Sequence, residues 1–259
     1  MADHLKELDL ALVAAEATFH KYFECNSIGI ALDTKALASK KIRDGFNSIR
    51  FRIHISNHIL EVINDFDWSK IHKFEEMKKD NKGGPVTQRL CGDGLLIGAL
   101  YPMEMEWFVF TYVCAYFSYL YGIVDNFASM TILLFNLKID PKSRYSDILK
   151  IVPVPEFSRH FEEKLIKNAD FMLIRKIRRE IQHNDVRQTF QYDKGEPTYL
   201  GSGRPDIGPA FLTDTVHKPD VKMGGRIDVI CKQVFGGCCA STEAFLAAIS
   251  PSLILPQAK

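Results

Sequence analysis

Apolar residues recur at three- and four-residue intervals through most of the chain, the spacing that lines side chains along one face of a helix. Over residues 3–24 the series is Leu5, Leu8, Leu12, Ala15 and Phe19, which predicts a helix with Asp3 as its N-cap. Residues 25–34 read as a loop. A second long helix opens at Asp33 or Thr34 and runs to about Asp65 on Ile42, Phe46, Ile49, Ile53, Ile59, Leu60 and Ile63. Residues 66–79 continue as a shorter, more charged helix, which the turn-forming run DNKGGP at 80–85 stops. The glycine-rich residues 85–102 take no assignment. A third long helix runs from about Met103 to Leu137 and is ended by Asp140-Pro141. One or two helical turns over 143–150 precede a break at Pro153 and Pro155, and 156–185 is the next long helix. Residues 193–225 are dense in Gly, Pro and Asp, an excursion with room for a small β-hairpin around 198–200 and 210–213. A last helix, about 226–250, is interrupted at Gly236-Gly237 and followed by the tail PSLILPQAK.

This pattern is mostly α: a helical bundle with one long, tyrosine- and phenylalanine-rich helix at its centre, in a single domain covering 1–259. No repeat, low-complexity tract or linker interrupts it. Residues 107–124 carry no charge and are long enough to be a membrane-spanning candidate. The run nevertheless contains Thr111, Ser118 and four tyrosines and is followed by Asp125, whereas a lipid-facing helix holds Leu, Ile and Val at its middle. It therefore reads as a buried helix of a soluble bundle, with no membrane partner. The N-terminus has early acidic residues and no basic flank before an apolar core, so it does not read as a signal peptide.

Composition changes this picture little. Hydrophobic residues make up 46% and charged residues 25%, an ordinary globular balance. A net charge of +1 argues against wholesale wrapping of nucleic acid, so any anion site must be local. The six cysteines have no paired metal-type spacing, and the adjacent Cys238 and Cys239 suit neither a metal site nor an easy disulfide. Free buried thiols in a reducing cytosol are expected, hence a cytoplasmic protein.

The candidate chemistry concentrates in RKIRREIQHNDVR, residues 175–187, with five basic side chains and one His. On a helix, Ile174, Ile177 and Ile181 form an apolar stripe while Arg175, Arg179 and His183 share another face. A guanidinium four residues before an imidazole can bind phosphate oxygens beside a group that moves a proton near neutral pH. The alternative is a solvated basic face. Asp125 and Asp170 fall on otherwise apolar stripes, where a carboxylate needs a partner such as Arg178, Arg179 or His183. Either would fix helix register as an ion pair or would orient the imidazole. His54 and His58 share a face with Glu61, but Ile55 after His54 breaks the metalloprotease signature, so they read as polar helix positions. There is no P-loop, no G-x-S-x-G, and the GSGR run at 201–204 reads as a flexible turn.

At RREIQH, Arg178 to His183, the chain resembles the R-x(4–6)-H motif of the HEPN superfamily, all-α nucleotide-binding bundles that carry the motif on a late helix behind a long hydrophobic one. The resemblance covers about 35–190 in architecture, with 191–259 as a C-terminal loop and helix outside it, and six residues in motif. It implies a metal-independent endoribonuclease with neither metal nor cofactor. The RNA 2′-hydroxyl attacks phosphorus and leaves a 2′,3′-cyclic phosphate. His183 would be the general acid or base and Arg178 or Arg179 would stabilise charge on phosphorus. Asp125, Asp170 and Asn184 would support them, with Arg175 and Arg187 contacting substrate. It also implies RNA or a nucleotide as ligand, a homodimer, and an antitoxin-type partner protein. Some members are catalytically inactive and serve as nucleotide- or RNA-binding or protein-interaction modules, and both readings stay open here.

Overall fold

In a computed structural model of the chain, residues 2–27, 29–65, 109–140, 143–183, 190–193, 196–199 and 225–253 are described. The protein is mostly α-helical, as the periodicity predicts. The helices are α1 (Ala2–Asn26), α2 (Leu32–Asp65), α3 (Cys114–Leu134, preceded by a π-helical turn Val109–Val113), α4 (Tyr145–Ile151), α5 (Pro155–Phe161), α6 (Ala169–His183) and α7 (Ile227–Ser252). The helix expected at 66–79 lies outside the described residues.

Several boundaries differ from expectation, each for a local reason. Asp3, expected as the N-cap, lies inside α1, which begins at Ala2. The third helix stops at Leu134, well before Asp140-Pro141: Asn136 takes a left-handed backbone, and Leu137 and Asn136 donate their amides to the carbonyls of Ile132 and Leu133. That paired closure satisfies helix-end carbonyls. The single helix expected over 156–185 is divided. After α5 the backbone widens into a π-helical turn at Glu162–Ile166, and Asn168 then starts α6 by accepting the amides of Asp170 (2.9 Å) and Phe171 (3.2 Å) on its Oδ1. Conversely, α7 passes through Gly236-Gly237 without a break.

Two compact units share the chain: Met1–Ser56 with Tyr119–Ile174 and Val234–Lys259, and Asn57–Ser118 with Arg175–Gln233. No linker marks the division, whose four boundaries fall inside α2, α3, α6 and α7. The first unit is organised around an aromatic cluster. Phe19 of α1 meets Phe46 of α2 edge-on, Phe46 meets Phe127 of α3, and Phe127 meets Phe245 of α7. Phe157 and Phe161 of α5 close on Phe245. These rings are essentially excluded from solvent, and edge-to-face pairs of this kind contribute about 1 kcal/mol each beyond the area they bury. In the second unit Ile59, Leu60, Ile63, Val113, Tyr116, Phe117, Ile177 and Cys231 are buried, and the Tyr116 hydroxyl donates to the Cys231 carbonyl.

The excursion after α6 contains a small antiparallel sheet. β1 (Phe190–Asp193) pairs with β2 (Glu196–Tyr199), and β2 pairs with β3 (Gly225–Arg226). The hairpin therefore forms across 193–196, which corrects the expected pairing of 198–200 with 210–213; the latter lies outside the described residues. Two helices, Thr111–Leu134 and Asp228–Ser252, are long and apolar enough to cross a membrane, with more than half of the first and half of the second buried within the protein.

Candidate functional site

The basic face of α6 is built by one uninterrupted helix. With its start fixed by Asn168, α6 runs through to His183, and Phe171, Ile174 and Ile177 are buried at successive turns. This apolar stripe forces the opposite side outward. Arg175 and Arg179 are exposed, and His183 occupies the next position on their row, four residues further on. The three positions span about 12 Å along the axis, at 1.5 Å per residue.

Arg178 and Arg179 differ in setting. Arg178, which has the five-residue spacing of the motif, is half-buried and its Nε is shielded from water. Arg179, one position on, is exposed and shares the row of His183. Asn184 and Arg187 lie outside the described residues.

The two supporting carboxylates both belong to the first unit, whereas Arg175, Arg178, Arg179 and His183 belong to the second. Asp125 does not occupy a core face as its sequence position suggests. It is exposed, and it accepts a hydrogen bond from the Tyr145 hydroxyl, which also reaches Tyr121. Burial, with these two hydrogen bonds adding to it, raises the Tyr145 pKa far above the ordinary phenol value. The reason sequence periodicity misplaces Asp125 is that α4 returns a tyrosine to this edge of α3, so a carboxylate can sit there exposed and partnered. Asp170 lies in the first turn of α6, where a negative charge suits the helix dipole. Its carboxylate presses against α7 at Gly237, where any Cβ would overlap it, and its charge adds to the rise of the Cys238 pKa.

Among the described residues, the other titratable groups form no second cluster. His54 pairs with Asp9 at 2.9 Å and His58 stands 3.7 Å from Glu61, both on exposed positions. Among the described residues no group of three or more His, Cys, Asp or Glu is placed to hold a metal. Burial pushes the Cys114 and Cys239 thiols up to about 12 and those of Cys231 and Cys238 well above the usual thiol value, which disfavours the reactive thiolate. Cys25, by contrast, is exposed, which corrects the expectation of uniformly buried thiols. Sequence reasoning also missed a cavity of about 220 Å³ in the first unit, lined by Tyr22, Phe23, Ser27, Phe135, Asn136 and Pro153 among others. Its lining comes from the end of α1 and the turn after it, the end of α3 and the two residues after it, and Pro153, and nothing in residue spacing brings those together. No protein-family model, curated protein or solved structure matches the chain.

Proposed function

We propose that the α6 row of Arg175, Arg179 and the His183 position engages the phosphodiester backbone of RNA and that the protein is a metal-independent endoribonuclease of HEPN type. The observation that supports this reading is the continuity of α6: one helix carries two exposed guanidinium groups and the imidazole position on a single row, opposite the buried Phe171, Ile174 and Ile177. Arg179 is the preferred phosphate contact, and Arg178, half-buried, acts as a positioning residue. In the cleavage step a base removes the proton of the 2′-hydroxyl, the 2′-oxygen bonds to phosphorus, and the bond from phosphorus to the 5′-oxygen breaks. The 5′-oxygen takes a proton, leaving a 2′,3′-cyclic phosphate and a 5′-hydroxyl. His183 serves at one of the two proton transfers, and the arginines stabilise the charge that builds on phosphorus.

A second reading, an RNA-binding module without cleavage, is favoured by one observation. The carboxylates that would orient the imidazole are already committed, Asp125 to Tyr145 and Asp170 to packing against α7. Both readings require the α6 row to bind RNA. Titration of a labelled single-stranded RNA at several salt concentrations tests it: the double variant Arg175→Ala, Arg179→Ala should bind more weakly and lower the salt slope by about 1.4, close to 0.7 per phosphate contact on a single strand. An unchanged affinity and slope would remove the α6 row from both readings.

A further inference from the structure

We propose that the outward face of α1 is a self-association surface on which a second copy of this chain docks antiparallel. It is independent of any action of α6 on RNA.

The core side of α1 is Leu8, Leu12, Ala15, Phe19 and Phe23, all buried. Its flanks are tied to neighbouring helices. Glu16 pairs with Arg50 at 2.7 Å and Asp9 with His54 at 2.9 Å on α2, while His4 approaches Glu243 of α7 at 3.5 Å. The remaining face points to solvent, and such a face is normally polar. Here positions 10, 13, 14 and 17, the i, i+3, i+4, i+7 row, are Leu10, Val13, Ala14 and Ala17, all exposed, with Leu10 at 70% and Val13 at 55%. A second apolar stripe opposite the first is what a helix carries when it is covered on both sides.

The charges at the two ends of this strip specify the occupant. Glu7 and Lys21 are exposed and each lies seven residues from Ala14, about 10 Å along the axis on either side. His4 Nδ1 stands 3.9 Å from Glu7, loose enough that the Glu7 side chain remains 75% exposed. A twofold axis through Ala14 sets Glu7 of each copy against Lys21 of the other and lays Leu10 of each over positions 17–18 of the other. A parallel pairing would set Glu7 against Glu7 and Lys21 against Lys21. Exposed Lys6 and Glu24 flank the same strip, so each end carries both signs, and it is the Glu7–Lys21 pairing that favours the antiparallel sense of an isologous contact. The small side chains of Ala14 and Ala17 at its centre allow close backbone approach. A single helix pair covers less than the roughly 1,600 Å² of a standard stable interface, so the association is reversible and concentration-dependent.

Sedimentation velocity of the full chain over a concentration series tests this. Wild type should move from monomer to dimer as concentration rises. Glu7→Lys and Lys21→Glu should each raise the dimer Kd by about tenfold, and the combined variant should return it to near the wild-type value, a rescue that misfolding cannot imitate. In a Cys25→Ser background, Ala14→Cys should oxidise to a disulfide-linked dimer. Monomer at every concentration up to about 0.5 mM, ample for an association of Kd near 0.1 mM, would overturn the proposal. So would a dimer indifferent to both charge reversals, or a strip that instead carries the monomer onto lipid vesicles.

Discussion

A methyl group added at Gly237 would drive into the Asp170 carboxylate, whereas at Gly236 it would meet open space. The neighbouring substitutions should therefore have opposite signs. Gly237→Ala should destabilise by about 2 kcal/mol through overpacking, and Gly236→Ala should stabilise by about 0.5–1 kcal/mol through helix propensity. Chemical denaturation of the two variants checks this, and equal effects would show that Asp170 does not press on α7. The same physical contrast governs the thiols. Cys25 is exposed while Cys231, Cys238 and Cys239 are buried. Brief alkylation of the native protein at neutral pH, followed by peptide mass spectrometry, should label Cys25 well ahead of those three. Early labelling of Cys238 would contradict its burial.

Helix α6 depends on the Asn168 side chain, which supplies acceptors to its first free amides. Asn168→Ala should cost about 1 kcal/mol and Asn168→Asp much less, since Asp retains the acceptor. Along the same helix, Arg178→Ala should lower stability because Arg178 is half-buried, while Arg179→Ala should leave stability unchanged and weaken RNA binding. Thermal melts beside RNA titrations separate the two; identical behaviour would erase the distinction drawn between them. This helix also shows what could be read in advance. The stripe of Ile174 and Ile177 and the row of Arg175 and Arg179 follow from a 3.6-residue period, and the structure places both as the period requires. The break at Lys167-Asn168 was not legible, because a π turn followed by an Asn cap interrupts the backbone without interrupting the apolar series. Nor was the course of α7 through Gly236-Gly237, where the reason for Gly237 is a carboxylate from another helix. The exposure of Asp125 had the same kind of cause, since its partner Tyr145 arrives from α4. Periodicity reports one helix at a time, and these features are set between helices.

Across the whole protein, the buried thiols and Tyr145 link folding to alkaline pH. Their pKa values are raised on folding, so the folded protein holds protons that the unfolded chain releases above the ordinary values of 9.0 for a thiol and 10.0 for a tyrosine. Their contribution is fully present below about pH 9 and is lost as pH climbs towards the folded values of about 12 for Cys114 and Cys239. The melting temperature should therefore decline steadily from about pH 9 upward; a flat profile to pH 11 would mean these groups are more open than the structure places them.

The central claim concerns the α6 row acting on RNA, and cleavage in the presence of excess EDTA tests it most directly. The purified protein and a His183→Ala variant are incubated with a mixed RNA pool and the product ends are analysed. The account predicts fragments from wild type that survive chelation and carry 2′,3′-cyclic phosphate and 5′-hydroxyl ends, with none from the variant. Cleavage that persists in His183→Ala, or wild type as inert as the variant, would contradict the ribonuclease reading.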